Sequence, residues 1–496
     1  MRYNIVIGGE AGQGPNILTQ VIGEALVKKG NYVFYSRDYQ SLIRGGHNFN
    51  ILTFSEKPVY SNDSKIDILV CLDDKTEEIH KKNMKKEGII LKGRKDNMYY
   101  AGRIFKLFCL DFKLLEEILK DIGSRLKENL EEAKEGYGEE KNLLCKIKKQ
   151  EGNFKFMNGN QGISNGAIKS GIDIYYAYPM TPATPVMNEL AEKQKQNNLL
   201  VIELENEIAV VNAGIGSSIT GSKVMVGTSG GGFDLMTEGL SLTGIAEVPL
   251  VFYLSQRPGP GTGVATYTGQ GDLNDARHSG HGEFSRIILA PGDPKEAEEL
   301  TNLAFYFSEK FQIPSILIGD KHLAESFYTL SGNSKFLEVK KSSEFGRYNS
   351  YEKDEIGSAT ENAEIIKKNV EERKEKRNKI KKESEKYQGN RIYGNKNSKN
   401  LIVSWGSTKG AILDSIGGMN CGFLQILHIE PFPESIKKEI KGKNLILIEN
   451  NSTGQLGDLI AEKTGIFIDN KNKILRYDGR PFFADELKKE IEKRLK

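Results

Sequence analysis

The chain has 496 residues, too many for one hydrophobic core, and this length predicts about three folded units. Its 70 Lys and Arg residues are nearly balanced by 67 Asp and Glu residues, so the net charge of +3 gives no indication of a nucleic-acid partner. The four cysteines lack the CxxC spacing that zinc or an iron–sulfur cluster requires. No apolar run approaches the roughly 20 residues of a membrane span, and no signal peptide precedes the first strand. We therefore expect a reduced cytoplasmic protein.

The first predicted unit covers residues 1–150. Short apolar runs alternate with helical patterns, which predicts a parallel α/β sheet. These runs cover residues 4–7, 32–35, 49–54, 66–72 and 88–91. Residues 110–150 are charged, with Leu and Ile at helical spacing, and are expected to close the unit as helices.

The second predicted unit covers residues 155–335 and repeats the same alternation. Its expected strands are residues 173–176, 200–204, 223–226, 250–254 and 313–318. Its expected helices are residues 185–194, 207–219, 234–245 and 294–310. Glycine-rich turns follow the strands, and doubly wound sheets place their ligands at such turns.

A connector and a third unit complete the chain. Residues 336–398 are poor in apolar side chains and predict a connector with one long charged helix, whose charges we expect to face solvent. Residues 399–496 predict a third unit with strands at 401–404, 423–429 and 445–449 and a basic amphipathic helix at the end. No short repeat is present, which excludes a solenoid, and the predicted fold is three α/β domains.

Two glycine-rich loops stand out in the first unit. Gly12 and Gly14 join a strand to a helix, so backbone N–H groups could meet an anion there. Their spacing differs from the dinucleotide-binding GxGxxG pattern, and a tight turn explains them equally well. Arg44, followed by two glycines, lies between a helix end and a strand, where ordinary helix termination is the alternative to a binding role.

The second unit carries candidate site residues after two successive strands. Residues 178–185 have the sequence Tyr-Pro-Met-Thr-Pro-Ala-Thr-Pro, whose prolines restrict the backbone around Thr181 just before a helix. Helix capping by threonine is the alternative. Glu207 leads into a helix of small apolar residues. In such a place its carboxyl group can share a proton with a ring nitrogen of a cofactor. The alternative is that Glu207 is a first-turn acid that only stabilises the helix dipole.

Two further strand ends follow in the same unit. Thr228 and Ser229 precede three glycines and a helix, and Arg257 opens the sequence Arg-Pro-Gly-Pro-Gly-Thr-Gly, which ends at Gly263. A guanidinium group offers two parallel donors to a carboxylate. Because this arginine lies at a strand end beside two other glycine-rich strand ends, a binding role is favoured over a surface ion pair.

In their order along nearly the whole chain, these segments resemble the alpha subunits of 2-oxoacid:ferredoxin oxidoreductases, in which a gamma domain precedes a pyrimidine-type domain that binds thiamine diphosphate. The gamma domain is similar at residues 12–14 and 44–46. The pyrimidine domain is similar at residues 178–185, 205–207, 228–230, 256–263 and 281–284. Residues 406–410, 431–433, 449–455 and 479–482 resemble a transketolase C-terminal-like domain.

The resemblance implies a role for each residue near the cofactor. Glu207 would contact N1′ of the aminopyrimidine ring and exchange a proton with it, which activates C2 of the thiazolium ring. Pro179, Thr228 and Ser229 would also bind the cofactor. The implied reaction is oxidative decarboxylation of a 2-oxoacid, with the acyl group transferred to coenzyme A and the electrons passed singly to ferredoxin.

The resemblance also implies how the substrates bind. Thr181, Arg257 and Thr262 would bind the substrate carboxylate, and the two gamma-domain loops with Gly12, Gly14 and Arg44 would lie on the coenzyme A side. The sequence departs from the family where it has Gly261 in place of serine and Ala265 in place of proline. These departures predict a more mobile loop or an altered substrate preference.

The sequence lacks the GDG motif that, with a later asparagine, holds the Mg²⁺ of thiamine diphosphate; residues 271–275, Gly-Asp-Leu-Asn-Asp, lack its second glycine. We therefore expect a beta subunit to supply Mg²⁺ and a [4Fe-4S] cluster in a heterodimer. The favoured substrate is 2-oxoglutarate. The alternatives are a pyruvate, branched-chain or indolepyruvate-type oxidoreductase component, a transketolase-like enzyme, or a scaffold without catalysis.

Overall fold

The computed structural model describes residues 2–40, 46–94, 96–123, 125–145, 147, 152, 154–342 and 348–495. Its strands are β1 (Arg2–Glu10), β2 (Tyr32–Asp38), β3 (His47–Ser55), β4 (Ile66–Cys71), β5 (Met84–Leu91), β6 (Phe154–Asn158), β7 (Ile174–Ala177), β8 (Leu200–Glu203), β9 (Val224–Thr228), β10 (Leu250–Gln256), β11 (Ile287–Leu289), β12 (Pro314–Asp320), β13 (Phe327–Ser331), β14 (Asn390–Gly394), β15 (Asn400–Trp405), β16 (Gly422–Ile426), β17 (His428–Glu430), β18 (Asn444–Glu449) and β19 (Lys473–Leu475).

The helices lie between these strands and against the sheets. They are α1 (Pro15–Lys28), α2 (Asp74–His80), α3 (Asn97–Leu107), α4 (Phe112–Ile122), α5 (Leu126–Glu139), α6 (Gly159–Lys169), α7 (Thr184–Asn197), α8 (Glu207–Ile219), α9 (Gly230–Ala246), α10 (Leu273–His278), α11 (Pro294–Phe311), α12 (Lys321–Glu325), α13 (Ala363–Ser384), α14 (Thr408–Ser415), α15 (Ser435–Ile440), α16 (Gln455–Thr464) and α17 (Ala484–Glu492). Three sheets with packed helices confirm the predicted α/β fold class.

The first sheet has the strand order β5-β4-β1-β3-β2-β13-β6. Strand β1 is parallel to β4 but antiparallel to β3, and β2 is antiparallel to β3, so the prediction of a parallel first sheet is wrong. The reason is the connection from β2 to β3, residues 39–46, because a parallel pair needs a crossover of a dozen or more residues.

The first sheet also includes strands from the segment predicted as the second unit. Strand β13 pairs antiparallel with β2 and with β6, and the Val33 N–H donates a 2.8 Å hydrogen bond to Thr329 Oγ1. The first two predicted units therefore share a sheet. The boundaries proposed from the sequence, 1–150, 155–335, 336–398 and 399–496, remain predictions.

The second sheet has the order β17-β11-β12-β10-β9-β7-β8, and its strands from β11 to β8 are parallel. Buried apolar side chains cover both faces, as expected for a parallel sheet between helices. Strand β17, from the third predicted unit, pairs antiparallel with β11 at the edge. The turns that carry the candidate residues follow β7, β8, β9 and β10.

The connector and the third sheet lie beside the second sheet. Helix α13 is the long charged helix that the sequence predicts, and most of its residues are exposed. The third sheet has the order β14-β16-β15-β18-β19 and is parallel except between β14 and β16. Arg480, from this unit, forms a 3.0 Å ion pair with Asp38 at the end of β2 and lies 3.7 Å from the ring centroid of Tyr267. It therefore contacts the first and the second predicted units.

Two further observations bear on the sequence-based expectations. Cys109 and Cys145 form a disulfide with their Cα atoms 5.0 Å apart, whereas the sequence predicts a reduced cytoplasmic protein; Cys71 and Cys421 are free and buried. Within the described ranges, no helix has both the length and the apolar content needed to span a bilayer.

Candidate functional site

The second sheet brings together candidate residues that are far apart in the sequence. Thr181 follows β7, Glu207 begins α8 after β8, Thr228 ends β9, Ser229 precedes α9, and Arg257 follows β10. Strands β10, β9, β7 and β8 are adjacent and parallel, so their carboxyl ends meet at one edge. Ligands of doubly wound sheets bind at this edge.

Glu207 presents a buried carboxyl group, one oxygen of which accepts no hydrogen bond from the described residues. The Asn206 side chain accepts a 2.8 Å hydrogen bond from Ala209 N, which fixes the start of α8. Glu207 is 3% exposed, and its Oε1 has no hydrogen-bond partner among the described residues. A β-carbon on Gly232 would lie 2.5 Å from this oxygen, so the glycine makes room for it. A buried polar atom without a partner fits a ligand that brings a donor.

Thr228 and Ser229 form a buried pair beside this carboxyl group. Thr228 Oγ1 donates a 3.3 Å hydrogen bond to the carbonyl oxygen of Ser229. Ser229 occupies the N-cap position of α9, yet its side chain makes no capping hydrogen bond and its buried Oγ has no partner within the described chain. Ser229 Oγ is therefore a second buried polar atom of the site without a hydrogen-bond partner in the described chain, and it lies next to the glycine-rich start of α9.

Arg257 presents its guanidinium group to the same edge. Its Nη1 donates a 2.8 Å hydrogen bond to the carbonyl oxygen of Thr181, and no described carboxylate forms an ion pair with it. Burial lowers the pKa of Arg257, whereas the charges of Asp272 and Glu207 act in the opposite direction. The guanidinium group thus keeps donors available for an anion.

The loop after Arg257 turns sharply on glycines. Gly261 and Gly263 have φ values of 63° and 52°, and Val264 N donates a 3.0 Å hydrogen bond to the Pro258 carbonyl. At Gly261, where the family resemblance implies serine, this left-handed conformation would strain a side chain. Thr262 is exposed and Pro179 is half-buried, and their binding roles stay predictions.

Gly12 and Gly14 follow β1 of the first sheet and not a strand of the second sheet. Gly14 precedes α1 with φ 73°, and its carbonyl accepts a 3.4 Å hydrogen bond from Asn97 Nδ2. A β-carbon on Gly12, where φ is 96°, would meet no atom within 4 Å. Arg44 lies outside the described residues. The role predicted for these three residues on the coenzyme A side stays a prediction.

Asp272 is a site residue that sequence reasoning missed. Its Oδ2 is buried without a hydrogen-bond partner in the described ranges, and a β-carbon on Gly230 would lie 2.6 Å from it. Burial raises its pKa to about 7, helped by Asp275 and Asp234 and opposed by Arg257. Its only signal in the sequence is its place in residues 271–275, which resemble an incomplete metal-binding loop.

Exposed apolar side chains surround the site. One follows β7, one follows Glu207, one lies in the first turns of α9 and one follows the Arg257 loop. Their exposures are 39% for Tyr178, 51% for Ile208, 49% for Leu235 and 46% for Val264. Exposed apolar groups collected around a polar site indicate a surface that another molecule covers.

Comparisons with known proteins identify the family. A model described as "Pyruvate flavodoxin/ferredoxin oxidoreductase, thiamine diP-bdg" matches residues 165–389, and one described as "Pyruvate ferredoxin/flavodoxin oxidoreductase" matches residues 4–129. The 2-oxoglutarate synthase subunit KorA of Methanocaldococcus jannaschii is 31% identical over 328 residues, which cover 60% of this chain and 88% of that protein. The chain belongs to the 2-oxoacid:ferredoxin oxidoreductase alpha-subunit family.

Other relatives agree with this family. A 2-oxoacid:ferredoxin oxidoreductase subunit alpha of a Sulfolobus species is 29% identical over 618 residues, which cover 100% of this chain and 97% of that protein. A solved 2-oxoglutarate:ferredoxin oxidoreductase of Magnetococcus marinus has the same fold, with a TM-score of 0.88, 23% identity and full coverage of both chains. The resemblance and the enzyme class predicted from the sequence are thus confirmed.

Proposed function

We propose that this chain, with a beta subunit, converts a 2-oxoacid and coenzyme A to an acyl-CoA and CO₂ and passes two electrons to ferredoxin. The observation that carries the proposal is the buried Glu207 carboxyl group, whose Oε1 lacks a partner in the described chain, at the same sheet edge as the available guanidinium group of Arg257. We favour 2-oxoglutarate because two relatives, 31% and 36% identical, are named as 2-oxoglutarate synthase subunits.

The residues at the site fit thiamine diphosphate. Glu207 would hold a proton at its Oε1 against a ring nitrogen, and Pro179, Thr228 and Ser229 would line the same end of the cofactor. When bound, this cofactor supplies a nucleophilic carbon and an electron sink for decarboxylation. Gly232 allows α9 to pack on the Glu207 carboxyl group, and this packing would keep water from that oxygen.

Arg257 and Thr181 would orient the substrate carboxylate. The 2.8 Å hydrogen bond from Nη1 to the Thr181 carbonyl fixes one edge of the guanidinium group and leaves its other donors for the substrate. Thr262 would approach from the exposed end of the same loop. Because the carboxylate must leave as CO₂, these groups have to orient it without stabilising it more than the transition state.

A beta subunit would cover the site. The four exposed apolar side chains around it supply a surface of the kind found at the centre of protein interfaces. We assign Mg²⁺ and the [4Fe-4S] cluster to that subunit because the sequence carries neither a GDG motif nor clustered cysteines. Coenzyme A would approach from the gamma domain past Gly12, Gly14 and Arg44.

The test is a panel of 2-oxoacids with the complex reconstituted from both subunits. Glu207→Gln should lower turnover about 100-fold or more for every oxoacid, since the amide cannot exchange the proton. Glu205→Gln, an exposed residue two positions earlier, is the matched control and should stay within about twofold of wild type. Near-wild-type turnover of Glu207→Gln would remove this residue from the mechanism. A preference for pyruvate in the panel would overturn the 2-oxoglutarate assignment alone.

A further inference from the structure

The chain segment that follows the Arg257 loop is held by the third unit. Gln270 N donates a 2.8 Å hydrogen bond to the Asn450 carbonyl, and Asn450 N donates a 2.9 Å bond to Gln270 Oε1. Asn451 Nδ2 donates a 3.0 Å bond to the Gln270 carbonyl. These contacts join residues that are 180 and 181 positions apart. They come from the segment 449–455, a motif of the sequence to which the proposed chemistry assigns no role.

Gln455 extends the same contact by one residue. Its Nε2 donates a 2.7 Å hydrogen bond to the Gly271 carbonyl, and its Oε1 accepts a 3.1 Å bond from Asn274 N. The two carbonyl groups immediately before Asp272 are therefore both bonded to side chains of the third unit. A segment with both flanks fixed in this way has little freedom to move away from the site.

The residue held by these contacts is Asp272. Its N–H donates a 3.0 Å hydrogen bond to Oε1 of Gln256, the residue that precedes Arg257. Its carboxyl group packs against Gly230 at the start of α9, with Oδ2 buried and without a hydrogen-bond partner in the described part of the chain. The third unit thus places a carboxyl group between the cofactor end and the carboxylate end of the proposed site.

The charges facing Asp272 come from three elements. Arg257 at the end of β10 attracts its negative charge, whereas Asp234 on α9 and Asp275 on α10 repel it. Burial is the largest cause that raises its pKa to about 7. Arg286 acts on Asp275, and Glu207 acts on Arg257. Asp272 is thus neutral at low pH and becomes an anion beside Arg257 as the pH rises.

We propose that Gln455 and Asn451 are positioning residues that hold Asp272 beside Arg257, where the Asp272 carboxylate weakens the attraction of Arg257 for the 2-oxoacid and so sets substrate affinity. This inference rests on the proposed function, because it takes Arg257 as the carboxylate-binding group. The advantage follows from the reaction: a carboxylate held too firmly in the ground state is harder to release as CO₂.

The first test uses Asp272→Asn in the reconstituted complex, with the best oxoacid of the panel as substrate. The wild-type KM for the oxoacid should rise as the pH increases through about 7, because the Asp272 charge then opposes substrate binding. Asp272→Asn should remove that rise and lower KM about fivefold at pH 8, while KM for coenzyme A stays unchanged. A KM–pH profile identical to that of the wild type would overturn the proposal.

The second test asks whether Gln455 acts through Asp272. Gln455→Ala should lower the oxoacid KM at pH 8 as Asp272→Asn does, and should have no further effect on KM in the Asp272→Asn background. Gln388→Ala, an exposed glutamine that bonds Arg391 on β14, is the matched control and should leave KM unchanged. A Gln455→Ala variant that loses kcat but keeps the wild-type KM–pH profile would show a structural role only.

A third variant separates failure of this inference from failure of the proposed function. Arg257→Gln should raise the oxoacid KM about 100-fold if Arg257 binds the carboxylate. If it leaves KM unchanged, the proposed substrate site is wrong. If it raises KM while Asp272→Asn has no effect, only the role of Asp272 is overturned.

Discussion

Gly232 brings the backbone of α9 against the carboxyl group of Glu207: a β-carbon at residue 232 would lie 2.5 Å from Oε1 and 2.8 Å from Cγ of Glu207. Glu207 lies on α8 and Gly232 lies on α9, two successive helices that pack against the second sheet. The packing between these helices sets the position of the Glu207 carboxyl group, the proposed proton-transferring group. The space at Gly232 therefore matters for chemistry more than for backbone conformation, because its φ is not in the left-handed region.

Gly232→Ala should lower turnover by about 10-fold to 100-fold, because a β-carbon there would lie 2.1 Å from Thr228 Oγ1 and 2.5 Å from Glu207 Oε1 and would displace both groups. Gly231→Ala is the matched control: its β-carbon would be 3.8 Å from the nearest atom, the Gly261 carbonyl oxygen. Steady-state turnover and circular dichroism of both variants check the prediction. Equal turnover of the two would show that Glu207 tolerates displacement.

The positions of Thr181, Glu207 and Arg257 could be predicted because each follows a strand of one doubly wound sheet, and such strand ends converge whatever the loops contain. Asp272 could not, because its place depends on Gln455, 184 residues away from the Gly271 carbonyl that it bonds. Likewise, nothing in the local pattern of residues 327–331 indicates pairing with β2. Periodicity predicts that a strand exists, but not which distant strand it joins.

Glu309 should make stability decrease as the pH rises. Burial raises its pKa to about 7, above the value of about 4.5 expected in the unfolded chain. Folding then favours the protonated form, so the contribution to stability is fully present below pH 4.5 and is lost as the pH rises through 7. Glu309→Gln should match the wild type near pH 4.5 and be more stable by about 2 kcal/mol at pH 8.

Thermal unfolding of Glu309→Gln between pH 4.5 and pH 8 measures this difference. Glu372→Gln on the exposed side of α13 is the control, and its melting temperature should follow that of the wild type throughout. A constant difference between Glu309→Gln and wild type at every pH would exclude titration of Glu309 as the cause.

Lys409 joins the third unit to the second through buried charges. Its Nζ contacts Asp293 and donates a 2.6 Å hydrogen bond to Glu296, whose side chain is 1% exposed. Lys409→Met would leave both carboxylates without this cation, so we expect the free energy of unfolding to fall by about 3 kcal/mol. Urea unfolding checks the value, with the exposed Lys441→Met as control. Adding Glu296→Gln should recover part of the loss; no recovery would mean that packing, not charge, is the cause.

Ile208 tests whether a beta subunit covers the site. It follows Glu207 in the first turn of α8 and is 51% exposed, so Ile208→Asp adds a charge that suits the helix start and should fold normally. If a partner buries this surface, the unpaired carboxylate should weaken its binding about 10-fold to 100-fold. Leu200→Asp is the matched control, because Leu200 is 56% exposed at the opposite end of β8. Titration calorimetry with the purified beta subunit compares the two variants, and equal affinities would place the interface elsewhere on the chain.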